Sequence, residues 1–172
     1  MLSFRRATLD DVPSLHTLVE GAYRGEASRA GWTTEADFLG GQRTDRDELS
    51  ALVRGPLTLL LLAHEADQLV GCVLLRDEPE CAYLGMLSVR PTLQAAGVGR
   101  ALLDEAERVA RVELGKTEVR MRVISLRDSL IAWYERRGYA LNGEREPFPY
   151  DDPRAGEPKR SGLEFVVLRK TL

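Results

Sequence analysis

The sequence predicts an α+β (mixed α/β) fold, a mixed sheet with helices packed against it. Residues 57–64, 69–75 and 81–89 are three apolar, strand-like runs separated by short polar turns, the pattern of an antiparallel meander. The third run is followed by Pro91, a loop holding Gly97 and Gly99, a helical pattern from Ala101 and a further strand at 118–124. A strand that returns after a helical crossover lies parallel to the one it left. Hairpins first and one parallel crossover later make the sheet mixed.

Residues 2–7 alternate apolar and charged side chains and read as a first strand. Thr8 or Asp10 caps a helix whose apolar positions Val12, Leu15, Leu18, Val19 and Ala22 share one face, with Pro13 in the first turn, where a missing N–H costs little. Gly25 closes this helix or loosens its end. The segment 26–42 is less regular; Thr33 or Thr34 caps a short helical turn from Glu35, which the pair Gly40-Gly41 ends. Residues 44–48 start another helix through Leu49, Leu52 and Val53, stopped by Gly55-Pro56. The run 57–64 is apolar enough to be buried on both faces, 65–68 turns the chain, and 69–75 returns with Gly71 inside it. Residues 77–80 make the next turn. Beyond the glycine loop, Ala101, Leu102, Ala106, Val109 and Ala110 line one face of a helix that Gly115 ends. In 118–124, Val119, Met121 and Val123 alternate with Arg120 and Arg122. Residues 129–137 are helical, Gly138 stops them, a strand begins at 139–141, and 163–168 supplies the last one.

At 172 residues the chain is long enough for one domain with a full core, and the expected organisation is a single domain over 1–172. With 24 basic and 27 acidic residues the net charge is −3, with no long like-charge run, so no nucleic-acid partner is expected. The longest apolar run, 57–63, is too short to cross a bilayer, and Phe4-Arg5-Arg6 stands where a signal segment would be apolar. A cytoplasmic protein without a membrane partner is the expectation. Cys72 and Cys81 are then reduced core residues, and His16 and His64, far apart and without ligand spacing, predict no metal.

The glycine loop carries the chemistry. Small residues let the backbone turn tightly and approach a ligand, and the first N–H groups of the following helix point outward at the positive end of its dipole. That is a seat for phosphate. It is neither GxxxxGK[ST] nor a full GxGxxG. Gln94-Ala95-Ala96-Gly97-Val98-Gly99 resembles instead the Gln/Arg-x-x-Gly-x-Gly/Ala motif of the GNAT family of N-acetyltransferases, and the likeness extends from Leu87-Ser88-Val89-Arg90-Pro91 before it to Arg100-Ala101-Leu102-Leu103 after it. The resemblance implies a central mixed sheet of about seven strands flanked by helices, with acetyl-CoA as acyl donor and its pantetheine arm in a gap between two splayed strands.

Several roles follow from that likeness. The backbone of Leu87, Ser88 and Val89 would align the pantetheine amides as an added strand would. The loop amides of Ala95, Ala96, Gly97, Val98 and Gly99 are the candidates for the pyrophosphate, with side-chain contacts from Gln94 and Arg100. Residues 125–139 resemble the family's last motif, an aromatic-Tyr pair on a helix followed by Gly and an aromatic, which puts Tyr134 at the position of the proton donor. Many members have Asn seven residues before this Tyr; here Arg127 stands there and would approach a phosphate or the acceptor. Trp32, Glu35 and Asp37 lie where the family commonly builds its acceptor site, a carboxylate holding the cationic amine against an aromatic wall. Glu35, Asp37 and Glu80 are eligible general bases, and for each an ordinary surface charge is the competing assignment. The loop 148–162 either covers the site or is a plain connection. The implied function is acetyl transfer to a small-molecule amine by direct attack in a ternary complex. Competing functions are a non-catalytic acyl-CoA sensor, a protein or peptide acetyltransferase, and transfer to oxygen or of a longer acyl chain. A homodimer through strand 163–168 as a sheet edge is also open.

Overall fold

The computed structural model describes residues 1–31 and 33–172, with Ala95 described in its backbone only. The chain opens with β1 (Leu2–Arg6), and the Asp11 carboxylate accepts the Thr8 N–H at 2.8 Å and Arg5 Nη2 at 2.7 Å. That corner launches α1 (Val12–Tyr23), which buries all five of its expected apolar positions. Gly25, at φ +69°, turns the chain directly into α2 (Gly25–Ser28). A single helical turn follows Thr34, closed by the Leu39 N–H on the Glu35 carbonyl at 2.9 Å. It runs on into β2 (Leu39–Gly40), so Gly40 extends a strand instead of only ending a helix. Asp45 caps α3 (Arg46–Arg54), its carboxylate accepting the Glu48 N–H at 2.7 Å.

The meander is β3 (Thr58–Glu65), β4 (Gln68–Asp77) and β5 (Ala82–Val89). After the glycine loop come α4 (Val98–Val112), β6 (Glu118–Ile124), α5 (Asp128–Glu135), β7 (Ala140–Pro147), β8 (Glu157–Pro158) and β9 (Glu164–Thr171). Seven strands form one sheet in the order β1-β3-β4-β5-β6-β9-β7, and β2 pairs with β8 apart from it. Only β5 and β6 run parallel in the large sheet. The last strand is not an edge. β9 pairs with β6 from Glu118–Thr171 to Ile124–Phe165 and with β7 on its other side, which leaves β1 and β7 as the edges.

Period-two alternation divides the core between the two faces. Leu60 and Leu62 of β3 pack with α1 and Leu49 of α3, while Leu61 and Ala63 pack with Leu102, Leu103 and Ala106 of α4. Each fully buried leucine contributes roughly 2 kcal/mol. Gly71 in β4 permits the close seating of α4: a methyl there would lie 2.6 Å from Leu102 Cδ1 and 2.9 Å from the Ser88 carbonyl oxygen. Cys72 and Cys81 are buried free thiols, and burial pushes the Cys72 thiol up to about 12. Among the described residues no helix is long and apolar enough to cross a membrane.

The feature that positions the site is a divergence inside the sheet. β5 and β6 pair only at Ala82–Val119 and Tyr83–Arg120. The register of β5 on β4 then shifts between Cys72 and Leu74, and Met86 takes a φ of +53°. A bulge of this kind bends its strand and ends pairing on one side. Beyond Tyr83 the two strands part and leave a crevice between them.

Candidate active site

A cavity of about 310 Å³ fills this crevice, walled by Gly85, Met86 and Leu87 on one side and by Met121, Val123 and Ile124 on the other. Tyr134 enters from α5. Its ring is buried and packs edge-on against Trp133 and Tyr139, at 5.0 and 5.7 Å. Among the described residues its hydroxyl has no hydrogen-bond partner, and the side chain lines the cavity. Burial raises its pKa well above that of an ordinary phenol, so the proton is retained throughout the neutral range. Tyr23, at the end of α1, donates its hydroxyl to the Leu87 carbonyl at 2.6 Å and fixes the bulged strand from the other face.

Charge gathers on the α1 side of the cavity. Glu35 is 9% exposed, no surface charge, and its carboxylate accepts Arg24 Nη1 at 2.5 Å and Arg127 Nη1 at 3.0 Å. Arg127 also donates to the Thr33 carbonyl. Burial favours the neutral acid, yet Arg127 and Arg24 outweigh it and hold the Glu35 carboxyl below its ordinary range. Arg43 lies over the Tyr23 ring at 5.3 Å, and the Glu20 carboxylate fixes its backbone by accepting the N–H groups of Arg43 and Thr44 at 2.6 and 2.9 Å. No described carboxylate comes within 4 Å of the Arg43 guanidinium.

The loop after β7 closes over this wall. The β2–β8 pair and Lys159, whose ammonium donates to the Ala36 carbonyl at 2.6 Å, tie it down, and Phe148, Asp152 and Arg154 line the cavity.

The glycine loop leads directly into the start of α4. Gly97 sits at φ +82° immediately before α4, with open space where a side chain would be. Ala101 is bonded back to the Gly97 carbonyl at 3.0 Å, so Val98, Gly99 and Arg100 form the first turn of the helix, where an N–H group has no partner within the helix itself. Gly99 lies against Val89 and Trp133, Ala96 is exposed, and the exposed Arg100 stands 3.8 Å from Asp104 at the rim. An extended chain ending in a pyrophosphate fits an unpaired strand edge that leads to such a helix start.

The remaining candidates separate. Gln94 ties the loops together instead of facing the seat: its amide nitrogen donates to Thr33 Oγ1 at 2.7 Å and to the Val89 carbonyl at 3.2 Å. Ser88 is buried and turns its hydroxyl onto the Met86 carbonyl at 3.0 Å. Arg127 is committed to Glu35 and Thr33, on the α1 side of the cavity. Asp37 is exposed, pairs with Arg29 at 2.7 Å and does not line the cavity; Glu80 is exposed and outside it too. Trp32 lies outside the described residues. Sequence reasoning missed Tyr23, Arg24 and Arg43. Nothing local marks them, since they meet the crevice only through the packing of α1 and α3 on the sheet.

A sequence model described as the acetyltransferase (GNAT) family matches residues 14–139. A comparison with curated proteins gives no match. Among solved structures, the chain is similar to the ribosomal-protein-S18-alanine N-acetyltransferase from Escherichia coli, at 16% identity, with 99% of this chain and 94% of that one covered and a TM-score of 0.73. It is similar to yncA, a putative acetyltransferase from Salmonella typhimurium with its cofactor acetyl-CoA, at 18% identity, coverage of 100% and 94%, and a TM-score of 0.73. The paia N-acetyltransferase from Thermoplasma acidophilum in complex with coenzyme A matches at 17% identity, coverage of 100% and 99%, and a TM-score of 0.69. On the sequence match over nearly three quarters of its length, and with the fold to agree, the chain belongs to the GNAT family of N-acetyltransferases.

Proposed function

We propose that the chain transfers an acetyl group from acetyl-CoA to the amine of a small molecule, by direct attack while both are bound. The observation that carries this reading is the parting of β5 from β6 over a cavity into which Tyr134 projects. Acetyl-CoA supplies the thioester carbonyl and a thiolate leaving group. The amides of Val98, Gly99 and Arg100 would hold its pyrophosphate, and β5 from Leu87 to Val89, where it no longer pairs with β6, would align the pantetheine. Tyr134 holds the proton that the departing sulfur needs. A thiol has a pKa near 8.5 and a buried phenol lies above 10, so the transfer is uphill and must accompany departure of the thiolate.

The fold serves proteins and small molecules alike, since one similar structure is that of an enzyme named for a ribosomal protein. Here a cavity of about 310 Å³, roofed by the loop that carries Phe148 and Arg154, suits a compact acceptor better than a peptide strand. The test is release of free thiol from acetyl-CoA across an amine panel. Tyr134→Phe should lower kcat by about 10²–10³-fold while leaving the Kd for acetyl-CoA within about two-fold. Cofactor binding by wild type without transfer to any amine would point to an acyl-CoA sensor instead.

A further inference from the structure

Five arginines line the cavity against three carboxylates, a surplus of two positive charges. Two of the five are locally balanced. Arg122 meets Glu146 at 3.1 Å and lies over the Phe165 ring, and Arg154 meets Asp152 at 2.9 Å. What remains is Arg24, Arg43 and Arg127 against Glu35 and Glu48, a surplus of one positive charge, and of these two carboxylates only Glu35 comes within 4 Å of a guanidinium of the three. Glu35 is fully used by the first and third. Arg24 keeps a buried Nε with no partner among the described residues, although the whole side chain is only 6% exposed. The remaining carboxylate, Glu48, accepts the Thr44 hydroxyl at 2.6 Å and lies beyond 4 Å from Arg43.

Removing a guanidinium from water without a contacting counter-ion is costly, so Arg43, with no carboxylate within 4 Å in a walled cavity of net positive charge, is a fixed charge open to an anion. It is also a barrier to polycations. Arg43 is built to present its charge: Glu20 pins its backbone, the Tyr23 ring supports its face, and Arg127 lies over the same ring at 5.9 Å. The Tyr23 hydroxyl in turn is bonded to Leu87, at the strand edge where the acyl group would be delivered.

We propose that the acceptor is a small amino acid-like molecule bearing a carboxylate or a comparable oxyanion, and that Arg43 binds that oxyanion while the amine faces the crevice. This rests on the acetyl-transfer reading and deepens it. A planar guanidinium offers a two-pronged grip on a carboxylate, which fixes orientation as well as affinity. Glu35 then has no part in holding a cationic amine. It holds Arg24 and Arg127 in place.

The test is kcat/KM for thiol release with L-amino acids, their carboxamides and their decarboxylated amines as matched triplets, with spermidine as the polycation. The expected result is at least one free acid preferred over its amide and amine by about 30-fold or more. Arg43→Gln should collapse that ratio toward one, and Arg43→Lys should restore part of it. A folding defect would lower acid and amide in proportion and leave the ratio intact, which would overturn the assignment of Arg43. Equal use of acid and amide, or preference for spermidine, would overturn the proposal while leaving acetyl transfer standing. No turnover of any amine by enzyme that binds acetyl-CoA would count against transfer itself. Calorimetry of the same acids and amides in the presence of coenzyme A then decides the anion site, and equal or absent binding of the acids overturns it.

Discussion

Glu35 shows how one side chain sets the electrostatics of this site. It neutralises one of two guanidiniums that touch it, and both lie in the interior. Glu35→Gln would leave Arg24 and Arg127 facing each other without a counter-charge, and loss of one member of a buried ion group costs about 3–5 kcal/mol. Urea unfolding should read that loss near neutral pH. The pH dependence has a definite sign. The folded-state carboxyl is held below its unfolded value, so its contribution is present above pH about 4.3 and is lost as pH falls through the lower folded value. The acid limb of the stability profile should therefore be shallower in Glu35→Gln than in wild type; an unchanged limb would mean that the ion group is not closed in solution. Sequence alone offered Glu35 as an acceptor-site carboxylate or an ordinary surface charge; its burial and its two arginine partners were hidden, because those arginines stand 11 and 92 residues away. Tyr134 was legible for the opposite reason: helix, aromatic pair and following glycine are contiguous.

Among the elements, the contact of β4 with α4 is the tightest test of the packing. The Gly71 position faces both a leucine side chain and a backbone oxygen, so Gly71→Ala cannot be absorbed by one rotamer change. It should cost about 1–3 kcal/mol of stability, with a lower Tm, whereas a neutral effect would mean that α4 sits farther from the sheet than described here. The sequence announced both elements, since the apolar run of β4 between polar turns and the one-sided apolar pattern of α4 are local. The pieces that shape the crevice were not legible. β2 and β8 hold two residues each and exist only through mutual pairing, and the bulge at Met86 puts a non-glycine residue at positive φ without any turn signal in the sequence. The interior place of β9 was equally hidden, because strand order depends on long-range pairing.

At the scale of the whole molecule, the sheet separates two tasks. Arg24 just after α1, Arg43 before α3, Arg127 before α5 and the covering loop line the cavity with Tyr134 of α5, while the glycine loop and the start of α4 follow β5, one of its walls. The order of strands and helices was legible as a fold, whereas the gathering of charge in the cavity emerged only when distant segments met. The claim on which everything else depends is that acetyl-CoA occupies the crevice with its pyrophosphate before Gly97 and the first turn of α4. Calorimetric titration of acetyl-CoA into wild type and Gly97→Glu tests it directly, because a carboxylate at Gly97 would stand in open space before the free amides. With folding of the variant checked by circular dichroism and Tm, wild type should bind and the variant should lose about 10²-fold or more in affinity. Equal binding by both proteins, or none by folded wild type, would contradict it.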